Sequence, residues 1–216
     1  IVTRVHGAQS QPTATALNNL AALSLRRGDA RGAEELYRRA LETAIAVHGP
    51  DHPQDVPTLN GLGRARTLLG DYAQAETVLR QALDLARSKL GPDHPTVAIS
   101  ASNLALVLDR TGRQRDAAEL YRDVLRIRRA SFGDEHHETA RAMSNLAGVV
   151  GALGGSEEAE ALLRSAIEIR RRLGDEHGVS ASLQNLGAVL VRQGRVSEAV
   201  AAQREALEIL ERLPDA

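Results

Sequence analysis

Cysteine and tryptophan are absent from this 216-residue chain, methionine occurs once, and aromatic residues make up 2% of it. Without cysteine there is no disulfide and no thiolate chemistry, and the composition leaves the redox compartment open. Without large aromatics, helices must pack through small and aliphatic side chains. An excess of one charge is also missing. The formal net charge is −1, which argues against non-specific binding to nucleic acid. No apolar run reaches the roughly 18 residues that span a bilayer, and no secretory signal stands at the start. The expected partners therefore include neither nucleic acid nor membrane, and the expected location is cytoplasmic. The chain starts at Ile1 rather than Met, which suggests a fragment.

Glycine is plentiful and regularly placed. Gly7, Gly49, Gly91, Gly133 and Gly174 follow at steps of 42, 42, 42 and 41; Gly28, Gly70, Gly112, Gly154 and Gly194 follow at 42, 42, 42 and 40. Two segments open GPDHP, at Gly49 and Gly91, and two more open GDEHH and GDEHG, at Gly133 and Gly174. Such a period marks a stacked array, in which each unit packs on its neighbours and no central core is needed. The repeats span about 8–48, 49–90, 91–132, 133–173 and 174–213 within one array covering 1–216. Ile1 to Gly7, IVTRVHG, matches Thr43 to Gly49, TAIAVHG, and is read as the tail of an upstream repeat.

Each repeat splits into two amphipathic helices around its second glycine. In the third, Leu104, Val107 and Leu108 mark the first helix, A. Ala117, Leu120, Tyr121, Val124 and Leu125 mark the second, B, at spacings of three and four residues. Gly112 between them suits the left-handed turn that ends a helix. Pro95 suits a first helical turn, where its missing N–H costs nothing. Ten helices follow, A near 12–27, 54–69, 95–111, 138–153 and 178–193, and B near 30–47, 72–89, 114–131, 156–172 and 196–212. Pro57 would sit inside the second A helix, so that helix should start late or kink. No period-two alternation calls for a strand.

Leu20, Leu62, Leu104, Leu146 and Leu186 recur at one A-helix position; Ala33, Ala75, Ala117, Ala159 and Ala199 recur at one B-helix position. Ala40, Ala82, Ala166 and Ala206 follow seven residues later, and Tyr37 and Tyr121 fill a large position between them. This pattern resembles the tetratricopeptide repeat, and the 42-residue form with G-x-D-H-P between repeats resembles the kinesin light chain group. The resemblance implies an all-α right-handed solenoid whose A helices line a concave groove.

The chemistry-bearing residues do not converge. His52, His94, His136 and His177 recur once per repeat. They lie too far apart to share a metal ion with bonds near 2 Å, and read as caps of the A helices. The G-x-G of Asn60–Gly63 falls inside a helix, not after a strand, so it is no phosphate loop. Glu34, Glu35, Glu157 and Glu158 complement B-helix starts. No catalytic residue, metal site or cofactor is assigned. One set stands out: Asn19, Asn103, Asn145 and Asn185 precede the A-helix leucine in four repeats, with Gly61 in the fifth case. Arg141, Asn145, Gly148 and Ala152 share a helical stripe, apart from a core stripe of Leu146, Val150 and Leu153. The A helices sum to +4, leaving −5 for the remainder, so a face lined by them should attract carboxylates.

The resemblance implies that asparagines at this position bond a peptide backbone and that the peptide is acidic with an aromatic anchor. The expected binding residues are Asn19, Arg26, Arg64, Asn103, Arg110, Arg141, Asn145, Gly148, Gly151, Asn185 and Arg192. Gly148 and Gly151 would leave a shallow pocket for the anchor. The expected function is a non-enzymatic scaffold for a protein or peptide partner. The alternative is a regulatory arm of a larger protein, such as a nucleotide-switch ATPase or a protease. End-to-end self-association is expected if the first A helix and the face of Ala199, Leu207 and Leu210 lack cover.

Overall fold

A computed structural model describes residues 10–213; the proposed tail at 1–7 lies outside them. Ten α-helices occupy the described residues, with no strand among them. They are α1 (Gln11–Arg26), α2 (Ala30–His48), α3 (Val56–Leu69), α4 (Tyr72–Leu90), α5 (Pro95–Arg110), α6 (Gln114–Phe132), α7 (His137–Ala152), α8 (Ser156–Arg172), α9 (Glu176–Arg192) and α10 (Val196–Arg212). Odd numbers are A helices and even numbers B helices.

Local chemistry accounts for the boundaries. Among the described residues the turn glycines all have positive φ, from Gly28 at 80° to Gly194 at 76°, a region that a Cβ disfavours. Asp29, Asp71 and Asp175 side chains each accept a bond from a backbone N–H in the first turn of α2, α4 and α9. His94 and His136 cap α5 and α7 through Nδ1, which accepts from Thr96 and Glu138 N–H at 3.2 and 3.1 Å. His52 does so for a short 3-10 turn, Pro53–Asp55, after which α3 starts late and carries Pro57 in its first turn. His177 is not a cap. It lies inside α9, because the loop there is one residue shorter and Asp175 takes the role, accepting from Gly178 N–H at 2.9 Å.

The chain forms two compact units that meet at Gly112 and Arg113, between the two helices of the third repeat. In the first, α3 packs against α1, α2, α4 and α5. Its interior is leucine, valine and alanine, including Leu59, Leu62, Leu79 and Leu104. In the second, α9 packs against α7, α8 and α10 around Ala159, Leu163, Ile167, Val179, Leu183, Leu186 and Leu190. Two assignments change. Leu20, the first of the recurring leucines, is 51% exposed while the other four are buried. Leu153 ends α7 as an exposed cap residue and is no part of the core stripe, whereas Leu146 and Val150 are buried.

A buried ionisable pair joins the first two repeats. Asp55 is 2% exposed, and its Oδ1 lies 3.3 Å from His48 Nε2. His48 Nδ1 lies 2.9 Å from the Gly49 carbonyl and must donate to it. A neutral ring then turns a bare Nε2 towards the carboxylate, so the contact requires a proton on one of the two. Burial pushes the Asp55 carboxyl above its ordinary value; His48 opposes this, with smaller effects from His52 and Asp51. The native chain therefore holds the Asp55 proton at pH values where the unfolded chain has lost it. Stability falls as pH rises from about 4 through the folded value. Asp55→Asn should gain stability relative to the parent chain between pH 4 and 7. Paired urea unfolding curves at the two pH values check this; an unchanged difference would contradict it.

Candidate binding face

Within each unit, one stripe of every A helix is left uncovered. In the first unit it carries Asn19, Arg26, Arg64 and Arg110, all exposed, together with Leu68, Ile99 and Leu106. In the second it carries Arg141 and Gly148 on α7, with Asn145 half-buried, and Asn185, Ala188 and Arg192 on α9. The apolar residues Leu68, Ile99 and Leu106 are missing from the sequence-based set. Ile99 and Leu106 stand where Arg141 and Gly148 stand in the fourth repeat, so the same stripe applied one period earlier finds them.

The asparagines divide into two kinds. Asn103 Nδ2 donates to Asn60 Oδ1 at 3.3 Å, and Asn60 Nδ2 donates to Ser100 Oγ at 2.9 Å. Asn103 is thus tied to the neighbouring A helix. The same junction position is polar elsewhere: Thr58 Oγ1 donates to Asn18 Oδ1 at 3.1 Å, and the Ser144 and Ser182 hydroxyls lie 3.2 Å apart. Buried hydroxyls and amides are satisfied in pairs there, as burial demands. Asn19, Asn145 and Asn185 have no such partner among the described residues, and their amides remain free for a ligand.

The glycines divide as well. A Cβ at Gly148 would meet nothing within 4 Å. At Gly151 it would meet Arg192 Nη1 at 3.2 Å and Ala159 Cβ and Val189 Cγ2 at 3.4 Å. Gly151 is buried between helices and does not line the open face. Its small size lets α8 and α9 approach, and of the two glycines only Gly148 faces open space. Gly61 and Gly63 are packing residues too, facing the Tyr37 ring and the Leu79 side chain.

Charge on this face is less free than composition implies. Arg141 Nη2 lies 2.6 Å from Glu138 Oε2, which also faces the buried Arg128 at 3.5 Å. Arg66 turns away to Glu34 of α2 at 3.0 Å. Arg26, Arg110 and Arg192 have no ion-pair partner among the described residues, and Arg64 opposes the upward shift that burial gives the Tyr37 hydroxyl. Two arginines at equivalent B-helix positions, Arg128 and Arg170, are buried. Desolvation pushes both below the ordinary arginine value; their carboxylate partners, Glu138 and Asp175, oppose the shift, and the Arg141 charge adds to it. Arg170 Nη1 donates to the Gly178 carbonyl at 2.7 Å and to Ser182 Oγ. Both arginines continue the apolar stripe of their B helices, at the position that buried Ala44 and Ala86 hold in the first two repeats. No group of three or more metal-ligating side chains is found among the described residues, and none of their helices is long and apolar enough to cross a membrane.

Known proteins agree with this architecture. BtubC (BKLC) from P. vanneervenii is 23% identical over 95% of this chain and 84% of that one, with a TM-score of 0.82. A putative kinesin light chain from Podosopora anserina with nearly identical TPR-like repeats is 24% identical over 91% and 94%, with a TM-score of 0.78. The apo form of RapI is 17% identical over 92% and 70%, with a TM-score of 0.78. These likenesses show the fold alone. The chain has no match among curated protein sequences. The tetratricopeptide repeat model matches residues 12–88, 58–130, 119–172 and 138–212, in register with the helix pairs and their turn glycines, and the chain belongs to the tetratricopeptide repeat family.

Proposed function

We propose that this chain is a non-enzymatic, cytoplasmic interaction scaffold that holds an extended acidic peptide along the open faces of its A helices. No cofactor or metal enters the reading. The observation that carries it is the second unit's face. There Gly148 opens onto free space beside the unpartnered amides of Asn145 and Asn185 and the cations of Arg141 and Arg192. An amide supplies both donor and acceptor, which suits a peptide backbone. The space over Gly148 accepts an aromatic or aliphatic anchor. Exposed arginines then contribute only about 0.2–1 kcal/mol each, screened by salt, and the anchor contributes about 2 kcal/mol or more.

A peptide-library titration tests this. Gly148→Leu should weaken the selected peptides by about 30-fold. Arg141→Gln should weaken them by about twofold to fivefold and lessen the salt dependence. Both sites are exposed, so helicity should be unchanged. If both folded variants bind every selected peptide as the parent chain does, the peptide reading fails. The regulatory arm of a larger protein then becomes the better reading, with Leu68, Ile99 and Leu106 covered by an effector domain.

A further inference from the structure

An uncovered apolar groove lies on α9 and α10 of the second unit. It encloses about 380 Å³ and is lined by Val191, Val196, Ala199, Val200, Gln203 and Leu207 among others. Ala199 is buried at its floor, while Leu207 is 56% and Leu210 42% exposed. One repeat earlier the same positions are filled. Gly187, Ala199, Gln203 and Leu207 correspond, 40 residues on, to Ala147, Ala159, Leu163 and Ile167. Those four sit in one buried cluster with Val179, Leu183, Leu186 and Val189 of α9. The groove is therefore an empty copy of the seat that α7 and α8 offer to α9.

The first unit carries a helix that fits this seat. Thr13, Leu17, Leu20 and Leu23 of α1 stand at the repeat positions of Val179, Leu183, Leu186 and Val189. The α3 residues at the last three of these positions, Leu59, Leu62 and Ala65, are buried. On α1, Leu20 and Leu23 are 51% and 54% exposed. The outer rim matches as well. Arg171 of α8 pairs with Glu205 of α10 across the filled seat. The corresponding residues at the empty seat are Glu211 on α10 and Arg39 behind α1. They are opposite in sign, and neither has an ion-pair partner among the described residues.

We propose that the chain self-associates head to tail, with α1 of one copy seated in the α9–α10 groove of the next. The occupant of the groove is a second copy of this chain, because α1 presents leucines where the helix that fills the filled seat presents its own apolar residues. Such a contact is heterologous: each copy uses one face as plug and the other as seat, so association continues past the dimer unless a ring closes.

Two variants of the 216-residue chain decide it. One carries Leu20→Glu and Leu23→Glu, which spoil the plug; the other carries Val200→Glu and Leu207→Glu, which spoil the seat. All four side chains are exposed, so circular dichroism should show unchanged helicity. In sedimentation equilibrium the parent chain should gain weight-average mass with concentration, beyond that of a dimer. Each variant alone should weaken association at least tenfold. Mixed in equal amounts they should form a dimer and nothing larger, since one good plug then meets one good seat. A parent chain that stays monomeric to about 1 mM (the weak end of specific association) overturns the proposal. So does a plug variant that still dimerises alone, which would show two seats meeting face to face.

Discussion

Leu186→Ala should lower the unfolding free energy by about 2–5 kcal/mol, and Leu20→Ala, at the same position of the first repeat, by less than about 0.5 kcal/mol. Leu186 is 4% exposed and sits among Ala147, Leu163, Leu183 and Leu190. Its loss removes transfer free energy and leaves a cavity that packed helices cannot fully close. Leu20 is 51% exposed, so its removal changes little when unfolding is followed in dilute solution. Urea denaturation of the two variants, compared by midpoint at equal slope, gives the result. Equal losses would show that α1 is covered in the monomer after all.

Gly61→Asn restores the residue found at this position in the other four repeats, yet it should destabilise the chain by about 3 kcal/mol, the upper end of overpacking. The first atom added to Gly61 would lie 2.3 Å from the Tyr37 ring. Tyr37 is buried against α3 and cannot swing aside cheaply. Tyr37→Leu introduces the residue that the second and fourth repeats carry there, Leu79 and Leu163. It should make Gly61→Asn much less costly, giving a double-mutant coupling of about 1–3 kcal/mol. Additive losses would mean that the clash is relieved by backbone movement instead. At Gly61 the Tyr37 ring takes the space beside the backbone, whereas two repeats later Tyr121 and Asn145 hold the corresponding positions together.

Much of the fold is legible along the chain because its signals are local. Turn glycines need positive φ, aspartates cap within three residues, and apolar side chains recur at helical spacing; each effect acts within one or two turns of backbone. The helix pairs therefore fall within about two residues of their expected limits. Pro57 delays its helix for the same reason. Even the failure at His177 is local, since one residue fewer in the loop hands the cap to Asp175.

The candidate site was legible only as a stripe. Asn19, Arg64, Arg110, Arg141, Gly148, Asn185 and Arg192 do lie on uncovered A-helix faces, because helical spacing alone places them together. Repetition could not show which copy of a position is used in the same way. Asn103 is spent on Asn60, while Asn145 stays free. Gly151 packs against α8 and α9, one turn from Gly148, which meets nothing. At the position of Arg128 and Arg170 the copies agree, since Ala44 and Ala86 are buried there too, while Arg129 and Arg171 stay out.

By itself, then, the sequence determined the helices, their pairing and the family, since hydrogen bonding and capping depend on residues a few positions apart. Only the tertiary structure decided burial, free amides, the tied and untied arginines and the empty seat on α10. Those depend on which helix from another repeat lies opposite a given face, and the repeat pattern does not carry that information.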